Sequence, residues 1–261
     1  MIDSLKDYLH DKPDNGLSTI KPRVLLTYLE NTNQIDELVA MPFPPSILGS
    51  IPVFDALMLA GIVRVVKSKR VLEFGTFLGY STRIILENSL DNCDIVTIDL
   101  PHGAEQGNLS LEVTESALHS NPSLNDDFLR QYQFINGPRF LNNLSDDQIK
   151  RLHLVKADSR KVDATELVEK AGGYFDLIFI DGGHDMETIS SDTALAIQVA
   201  SKNATIVWHD YGSTIHTSVT DFLMGMSANK RIIAIAGTLL AMCHLGLDPI
   251  RDARTKGDRT T

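Results

Sequence analysis

The stretch that decides the fold is VLEFGTFLGYST (Val71–Thr82), in which a short apolar run leads into a turn with two glycines. The run is typical of a buried strand, and the Ser-Thr pair after the second glycine is typical of the start of a helix. Gly75 and Gly79 let the backbone approach a bound molecule, because glycine has no Cβ. The stretch therefore predicts a strand–turn–helix unit that binds a ligand: a dinucleotide, a nucleoside triphosphate or another cofactor.

Apolar runs of the same kind recur along the chain, separated by segments in which apolar residues have helical spacing. They read VLEF, DIVTID, LHLVKAD, FDLIFID and ATIVWHD. Runs without apolar-polar alternation are typical of strands buried on both faces of a parallel sheet. Strands that alternate with helices form right-handed crossovers, so we predict an α/β fold with a doubly wound, mostly parallel, Rossmann-like sheet.

Each of these runs finishes at an acidic residue, namely Glu73, Asp99, Asp158, Asp181 and Asp210. The carboxyl ends of parallel strands share one edge of the sheet, where ligands bind. The alternative explanation is that turns after strands favour Asp. An acidic edge suits a metal cation or a ligand rich in hydroxyl and amino groups, and it does not suit a bare phosphate.

Composition disfavours several classes of partner. The 261 residues carry a formal net charge of -10, which argues against a nucleic-acid partner. Cys93 and Cys243 form no metal-spaced motif or disulfide framework. The N-terminal residues lack the apolar core of a secretory signal, and no run of about 18 apolar residues occurs. We therefore expect a cytoplasmic protein without a membrane partner.

The glycine spacing discriminates between the candidate classes of ligand. It reads Glu73-x-Gly75-x-x-x-Gly79, with Phe77 at the middle glycine of a dinucleotide motif and no P-loop lysine after it. This pattern resembles the first motif of class I S-adenosylmethionine-dependent methyltransferases. It is most similar to the small-molecule O-methyltransferase branch, where Glu-x-Gly-x-x-x-Gly-Tyr-Ser is typical. The resemblance extends from about Val71 to Leu245.

The resemblance implies S-adenosylmethionine as cofactor and assigns it a set of residues. Glu73 can orient the loop or bind the amino group of the cofactor, and backbone N–H groups where the helix begins near Ser81 suit its carboxylate. Asp99 is placed to accept both ribose hydroxyls, and Asp158 with its neighbour contacts the adenine amino group. The implied cofactor-binding residues are Glu73, Gly75, Thr76, Phe77, Gly79, Ser81, Asp99, Leu100, Asp158, Ser159 and Asp181.

The later segments resemble macrocin-type sugar O-methyltransferases, in which acids after two adjacent strands hold a divalent ion. An acidic pair is usual at the second position, whereas this chain has His209 and Asp210. A divalent metal is accordingly a hypothesis, with Asp181, His209 and Asp210 as ligands. Imidazole shifts the preference from Mg toward Mn, Fe or Zn. For catalysis we expect His184 as the base and His209 as a metal ligand, and these roles are interchangeable.

The domain prediction combines the residue patterns of the two ends of the chain with this resemblance. It comprises an N-terminal helical segment (1–50), an S-adenosylmethionine-binding methyltransferase domain (51–246) and a polar tail (247–261). The sheet is expected to have seven strands with an antiparallel last strand, because RIIAIAG and TLLAMCHL are typical of a closing pair. The polar insertion between Asp99 and Asp158 is either a lid, which we place at 102–150, or surface decoration.

The expected function is transfer of a methyl group to a hydroxyl of a small molecule. Two alternatives are a cofactor-binding relative without catalysis and an NAD-linked oxidoreductase, the latter disfavoured by the missing middle glycine. A nucleic-acid N-methyltransferase is disfavoured because WHDY stands where an Asn/Asp-Pro-Pro-Tyr motif would lie. Self-association through the N-terminal helices is a further hypothesis, giving a homo-oligomer.

Overall fold

The computed structural model of the chain describes residues 16–31, 39–47, 49–101 and 114–247. These residues contain one sheet of eight strands. The strands, in chain order, are β1 (Gly16–Ile20), β2 (Arg70–Phe74), β3 (Asp94–Asp99), β4 (Leu152–Lys156), β5 (Phe175–Ile180), β6 (Ala200–Trp208), β7 (Arg231–Ile235) and β8 (Ala241–His244).

The strand order across the sheet is β1-β7-β8-β6-β5-β2-β3-β4. Only β8 runs antiparallel to its neighbours among these strands, pairing with β6 on one side and β7 on the other. The prediction of a doubly wound, mostly parallel sheet with an antiparallel last strand is confirmed. β4 differs from the predicted two-sided burial: it lies at the sheet edge, so residues such as Leu154 are about half exposed, at 49 %.

The strand count differs from the predicted seven, because β1 adds an eighth strand. β1 pairs in parallel with β7, from Gly16 opposite Arg231 to Ile20 opposite Ile235. The prediction that residues 1–50 are helical is therefore wrong for this stretch. β1 has only five residues, and its mixed composition (GLSTI) gives a weak strand signal. Its position in the sheet therefore depends on pairing with the edge of β7.

Helices cover both faces of the sheet. Several begin at side chains that satisfy free backbone N–H groups: Asn121 accepts from Leu124, and Asp185 accepts from Thr188. The helices are α1 (Pro22–Asn31), α2 (Val53–Val66), α3 (Tyr80–Asn88), α4 (Glu115–Ser120), α5 (Pro122–Asn136), α6 (Asp146–Lys150), α7 (Ala164–Lys170), α8 (Met186–Val199) and α9 (Thr217–Met226).

Successive residues of the central strands enter two separate apolar cores. Val71 of β2 and Leu177 of β5 pack in the core covered by α1, α2 and α3. Leu72 and Ile178, the next residue of each strand, pack in the core covered by α7, α8 and α9. Because both faces of these strands pack in apolar cores, polar side chains lie at the carboxyl ends of the strands.

Two predictions fall partly or wholly on residues without a described structure. Of the predicted tail (247–261), only Leu247 is described, and of the predicted lid (102–150) the described part begins at Thr114. Among the described helices, none has the length and apolar character needed to cross a bilayer.

Candidate functional site

A cavity of about 370 Å³ lies at the carboxyl ends of the parallel strands. Loops after β2, β3, β4, β5 and β6 line it, and α5 contributes from the side of the insertion. The volume falls in the range typical of small-molecule sites. Of the residues predicted from the sequence, those on the cavity wall are Gly75, Thr76, Phe77, Ser81, Asp99, Leu100, Asp158, Ser159, Asp181, His184, His209 and Asp210.

Glu73 and Gly79 are two predicted residues that do not line the cavity. Glu73 is fully buried, and its two carboxylate oxygens accept hydrogen bonds from Ser81 (2.7 Å) and Thr82 (2.5 Å). Burial raises the pKa of Glu73 to about 7, against the effect of these hydrogen bonds. Of the two roles considered for Glu73, orienting the loop therefore matches its contacts, whereas contact with a cofactor amino group does not. Gly79 caps α3 with a φ of 81°.

The loop after β2 has a backbone that few residues tolerate. Gly75 has a φ of 91°, and a Cβ added there would lie 2.0 Å from the carbonyl oxygen of Asp181. The glycine thus lets two cavity loops touch. Phe77 has a φ of 46°, a left-handed conformation that is rare for a bulky residue. Such strain is concentrated at ligand sites, and here it occurs in the predicted cofactor loop.

Asp99, at the end of β3, meets two polar groups. Its Oδ2 accepts a hydrogen bond from Lys156 (3.1 Å) and another from the side-chain amide of Gln133 on α5. The same amide donates to the carbonyl oxygen of Phe77 (3.1 Å). Gln133 therefore connects the insertion to both the acidic residue and the glycine loop.

Asp158 follows β4 and is engaged by its neighbour Arg160. The guanidinium donates from Nε to Oδ1 (2.9 Å) and from Nη2 to Oδ2 (3.0 Å). These hydrogen bonds lower the pKa of Asp158 to about 2. The carboxylate therefore stays ionised, but both of its oxygens already have a donor.

A buried acid that the sequence reasoning missed lies nearby. Asp192 on α8 is 1 % exposed, lines the cavity and contacts Ser159. Its Oδ1 has no hydrogen-bond partner, and burial raises its pKa to about 6. Its oxygen Oδ2 would lie 3.1 Å from a Cβ at Gly182, so a larger residue there would require Asp192 to shift by a few tenths of an ångström.

The opposite half of the cavity holds carboxylates and imidazoles. Nδ1 of His209 lies 3.1 Å from a carboxylate oxygen of Asp181 and 3.1 Å from one of Asp210. Its Nε2 lies 3.3 Å from Asp55 of α2. Burial opposes a charge on His209, yet the two carboxylates raise its pKa well above the ordinary value.

His184 joins the loop after β5 to the insertion. Its Nδ1 lies 2.9 Å from Asp126 of α5, and its Nε2 lies 3.0 Å from Asp210. Despite its burial, the hydrogen bonds that His184 donates to the carboxylates of Asp126 and Asp210 raise its pKa to about 10. The ring is therefore held as a cation between two acids at neutral pH.

A third histidine, His216, stacks on His184. The ring centroids lie 3.7 Å apart and the planes differ by 17°. His216 is 7 % exposed, and its Nδ1 has no hydrogen-bond partner. Burial, together with the charge on His184, lowers the pKa of His216.

Two overlapping groups have ligand-type atoms within 4.8 Å of one another: Asp126, His184 and His216, and Asp181, His184 and Asp210. Asp210 also has a left-handed φ of 62°. In the first group the two imidazole planes are nearly parallel, so their in-plane lone pairs do not converge. In both groups the nitrogens of His184 already face carboxylates. Among the described residues, the predicted set of Asp181, His209 and Asp210 is not one of these groups, and both nitrogens of His209 likewise face carboxylates.

Sequence reasoning missed three residues of the half with the histidines and two of the half with Asp99 and Asp158. Their only sequence signal is position: two lie in the predicted lid, one lies six residues after Asp210, and two lie on helices without a recognisable motif. These residues are Asp55, Asp126, Gln133, Asp192 and His216.

The sequence matches the family model described as a methyltransferase domain, over residues 72–211. This span exceeds half of the chain and contains the glycine loop, the acidic strand ends and the His209-Asp210 pair. The chain therefore belongs to the methyltransferase-domain family, and the resemblance inferred from its motifs is confirmed at this level. No curated protein sequence matches it.

Several solved structures are similar in architecture. An O-methyltransferase from Bacillus cereus in complex with SAH is 14% identical, with a TM-score of 0.44 over 85% of this chain and 89% of that one. The Streptomyces achromogenes O-methyltransferase of tomaymycin synthesis, in complex with SAM, is 13% identical (TM-score 0.46, 86% and 89%). An SAH-bound Podospora anserina methyltransferase is 15% identical (TM-score 0.46, 84% and 86%).

Proposed function

We propose that this chain transfers a methyl group from S-adenosylmethionine to a hydroxyl of a small molecule. The observation that carries the proposal is that loops from both sides of the strand order β6-β5-β2-β3 line one cavity. The glycine loop and Asp99 line one half, and the Asp181, His184, His209 and Asp210 cluster lines the other. Such a cavity can hold a donor and an acceptor side by side, which family membership leads us to expect.

The donor half suits an adenosyl cofactor. The carboxylate of Asp99 can accept from both ribose hydroxyls, and the backbone at Gly75 offers close approach. Ser81 and its neighbours place the first N–H groups of α3 near the cavity, where they suit the carboxylate of the amino-acid part. The adenine then extends toward Ser159.

The acceptor half suits a hydroxyl group. The methyl of a sulfonium is already electrophilic, so the chain has to align the acceptor oxygen and remove its proton. Imidazole and carboxylate groups provide the hydrogen bonds for both tasks. The formal net charge of -10 also argues against a nucleic-acid acceptor.

A divalent ion fits this half as a finer part of the proposal. The candidate ligand atoms are Nδ1 of His209 and one carboxylate oxygen each of Asp181 and Asp210. Each oxygen lies 3.1 Å from that nitrogen. Asp55 stands behind the imidazole, as outer-shell carboxylates commonly do at metal sites. A bound ion would lower the pKa of the acceptor hydroxyl. Titration of chelator-stripped protein with Mg²⁺, Mn²⁺ and Zn²⁺ tests this part, and absence of heat for all three contradicts it.

The main proposal is tested by calorimetric binding of S-adenosylhomocysteine to wild type, Asp99→Asn and Asp94→Asn. The two acids lie at opposite ends of β3, so they form a matched pair. Loss of charged hydrogen bonds to ribose should weaken binding by roughly 10- to 100-fold in Asp99→Asn. Asp94→Asn should bind as wild type does. Equal affinity for all three proteins would contradict the assignment.

Methyl transfer is tested with radiolabelled S-adenosylmethionine and a panel of phenols, sugars and other alcohols. Label should move to at least one hydroxyl compound. Binding of the cofactor without transfer to any member of a broad panel would favour the alternative of a cofactor-binding relative without catalysis. Binding of NADH in place of the methyl donor would favour the oxidoreductase.

A further inference from the structure

The carboxylate of Asp99 already accepts several hydrogen bonds from the protein itself. Its Oδ1 accepts from the backbone N–H of Leu100 (2.9 Å). Its Oδ2 accepts from Nζ of Lys156 (3.1 Å) and from the side-chain amide of Gln133. An ionised carboxylate offers about four lone pairs, two on each oxygen. Three of these positions are therefore occupied, and the one that remains lies on Oδ1.

This count does not leave room for a ribose. Two ribose hydroxyls that donate to Asp99 need two lone pairs, so one of the present donors has to leave. The N–H of Leu100 belongs to the adjoining peptide unit, which fixes its position next to the carboxylate. The donor that leaves is therefore one of the two on Oδ2.

The position of these two donors decides between them. Gln133 is buried on α5 and lines the cavity together with Asp99. Lys156 of β4 is not among the residues that line the cavity, and 36 % of its side chain is exposed. Lys156 also forms an ion pair with Asp99, whereas the amide of Gln133 is neutral. A molecule in the cavity thus meets the amide of Gln133 and not the ammonium group of Lys156.

Gln133 can leave Asp99 without leaving the site. Its amide nitrogen carries two hydrogens and also donates to the carbonyl oxygen of Phe77 (3.1 Å). The neighbouring ring of Tyr132 contacts the ring of Phe77, with centroids 6.5 Å apart. These two contacts hold α5 on the glycine loop when the contact with Asp99 is lost.

We infer that Gln133 occupies the position of a ribose hydroxyl on Asp99, and that a bound adenosyl ligand displaces its amide from that carboxylate. The inference rests on the function proposed above. The exchange costs one hydrogen bond to a charged group, so Gln133 limits the affinity for the cofactor and for the product S-adenosylhomocysteine. When the product leaves, the amide returns to Asp99, which stabilises the unliganded site.

The first test compares S-adenosylhomocysteine with its 2′,3′-dideoxy analogue, which lacks both ribose hydroxyls. Calorimetry gives the affinity ratio of the two ligands for wild type, Gln133→Ala and Gln131→Ala. The preference for S-adenosylhomocysteine should rise by roughly 5- to 50-fold in Gln133→Ala, because the hydroxyls no longer compete with the amide. Gln131→Ala is the matched control on α5, at a side chain that is not among those lining the cavity, and should keep the wild-type ratio.

The ratio separates displacement from a structural role. Loosening of α5 or of the glycine loop affects both ligands alike and cancels in the ratio. An unchanged ratio in Gln133→Ala would mean that the residue only supports the loop. A smaller ratio would mean that Gln133 binds the ribose in the complex, and either result overturns the inference. Gln133→Leu replaces the alanine variant if circular dichroism shows that the latter is unfolded.

A second test observes the amide directly. In ¹H–¹⁵N NMR spectra, with the side-chain amide of Gln133 assigned from the Gln133→Ala variant, the hydrogen bonded to Asp99 should move upfield on addition of S-adenosylhomocysteine. Loss of the carboxylate partner is the reason for that direction. The dideoxy analogue should leave this resonance downfield. A resonance that stays downfield in the S-adenosylhomocysteine complex would contradict displacement.

These measurements also distinguish failure of the inference from failure of the proposed function. If wild type binds no S-adenosylhomocysteine, the proposed function fails, and the inference fails with it. If wild type binds both ligands equally well, the ribose does not use Asp99, and the inference is again overturned. If wild type prefers S-adenosylhomocysteine and Gln133→Ala shows the same preference, only the inference fails.

Discussion

At the scale of single residues, the role of Glu73 is the clearest example of a property that the sequence could not predict. The motif predicts an acid that contacts the cofactor or orients the loop, and the contacts with Ser81 and Thr82 match the second role. Spacing alone could not separate these roles, because it places the residue on β2 without saying which side of the loop its carboxylate occupies.

The raised pKa of Glu73 gives a prediction about stability. The pKa is about 7 in the folded chain and near 4.5 in the unfolded one, so the folded state binds more protons between these values. The free energy of unfolding should therefore fall as pH rises from about 4.5 to 7, and level off above that. Glu73→Gln removes this dependence, and at pH 8 it should be more stable than wild type by up to about 3 kcal/mol. Urea unfolding at both pH values measures the effect, and parallel profiles would contradict it.

Gly75 gives a second prediction at this scale. Gly75→Ala must place a Cβ 2.0 Å from the carbonyl of Asp181 in a left-handed conformation, so it should lose at least about 2 kcal/mol of stability and bind S-adenosylhomocysteine poorly. Gly212→Ala is the control, since its φ is 80° but no atom lies within 4 Å of the added carbon. It should lose only about 1 kcal/mol, from the backbone alone. Equal losses in thermal unfolding would show that the two loops do not meet closely.

The histidines illustrate what residue patterns cannot provide. The sequence singled out His184 and His209 because they follow strand ends, and both do line the cavity. His216 follows Asp210 by six residues and has no pattern of its own, since its position depends on how the loop before α9 folds back. Hydrogen-bond partners, which decide which imidazole keeps a lone pair, likewise come from non-local contacts.

At the scale of elements, α5 is the part of the insertion that reaches the site. Its fully buried residues are Asn125 and Gln133, both polar, and its apolar contacts, such as that of Tyr132 with Phe77, involve partly exposed side chains. The sequence had left open a lid or surface decoration, and the contacts of Gln133 with Asp99 and Phe77 favour the lid.

Polar docking predicts low local stability for α5. Its backbone amides should exchange hydrogen faster than those of α8, which buries Ile189, Leu195 and Val199. Addition of S-adenosylhomocysteine should slow exchange in α5 several-fold, because the bound molecule adds contacts along its cavity side. Hydrogen-exchange mass spectrometry compares the two helices directly. Exchange in α5 that matches α8, or that is unchanged by the ligand, would contradict this account.

Central strands were predictable and edge strands were less so. Continuous apolar runs identify β2, β3, β5 and β6, because burial on both faces demands them. β1 has five residues with no such run, and β4 was recognised although its expected two-sided burial was wrong. Edge strands have one free side, so their sequences carry a weaker constraint.

At the scale of the whole molecule, β1 joins the same sheet as the strands whose carboxyl ends border the cavity. Ile20 is 5 % exposed and packs in the core that also contains Val71 and Leu177. Leu17, on the same strand, is 37 % exposed. The segment should therefore unfold together with the rest of the chain.

Two substitutions in β1, one at a buried and one at an exposed residue, test whether this strand unfolds together with the rest of the chain. Ile20→Ala should lower the free energy of unfolding by about 2–4 kcal/mol, whereas Leu17→Ala should lower it by less than about 1 kcal/mol. Both variants should keep a single transition in urea. A separate early transition, or equal effects of the two substitutions, would show that the strand is not part of the common core.

The account depends on one claim, that strand ends far apart in sequence form a single adenosyl-binding edge beside an acceptor pocket. The most direct measurement is a crystal structure of the complex with S-adenosylhomocysteine. The account predicts both ribose hydroxyls on the carboxylate of Asp99 and the sulfur directed toward the cluster of Asp181, His209 and Asp210. A ribose bound away from Asp99, or a ligand outside this cavity, would contradict it.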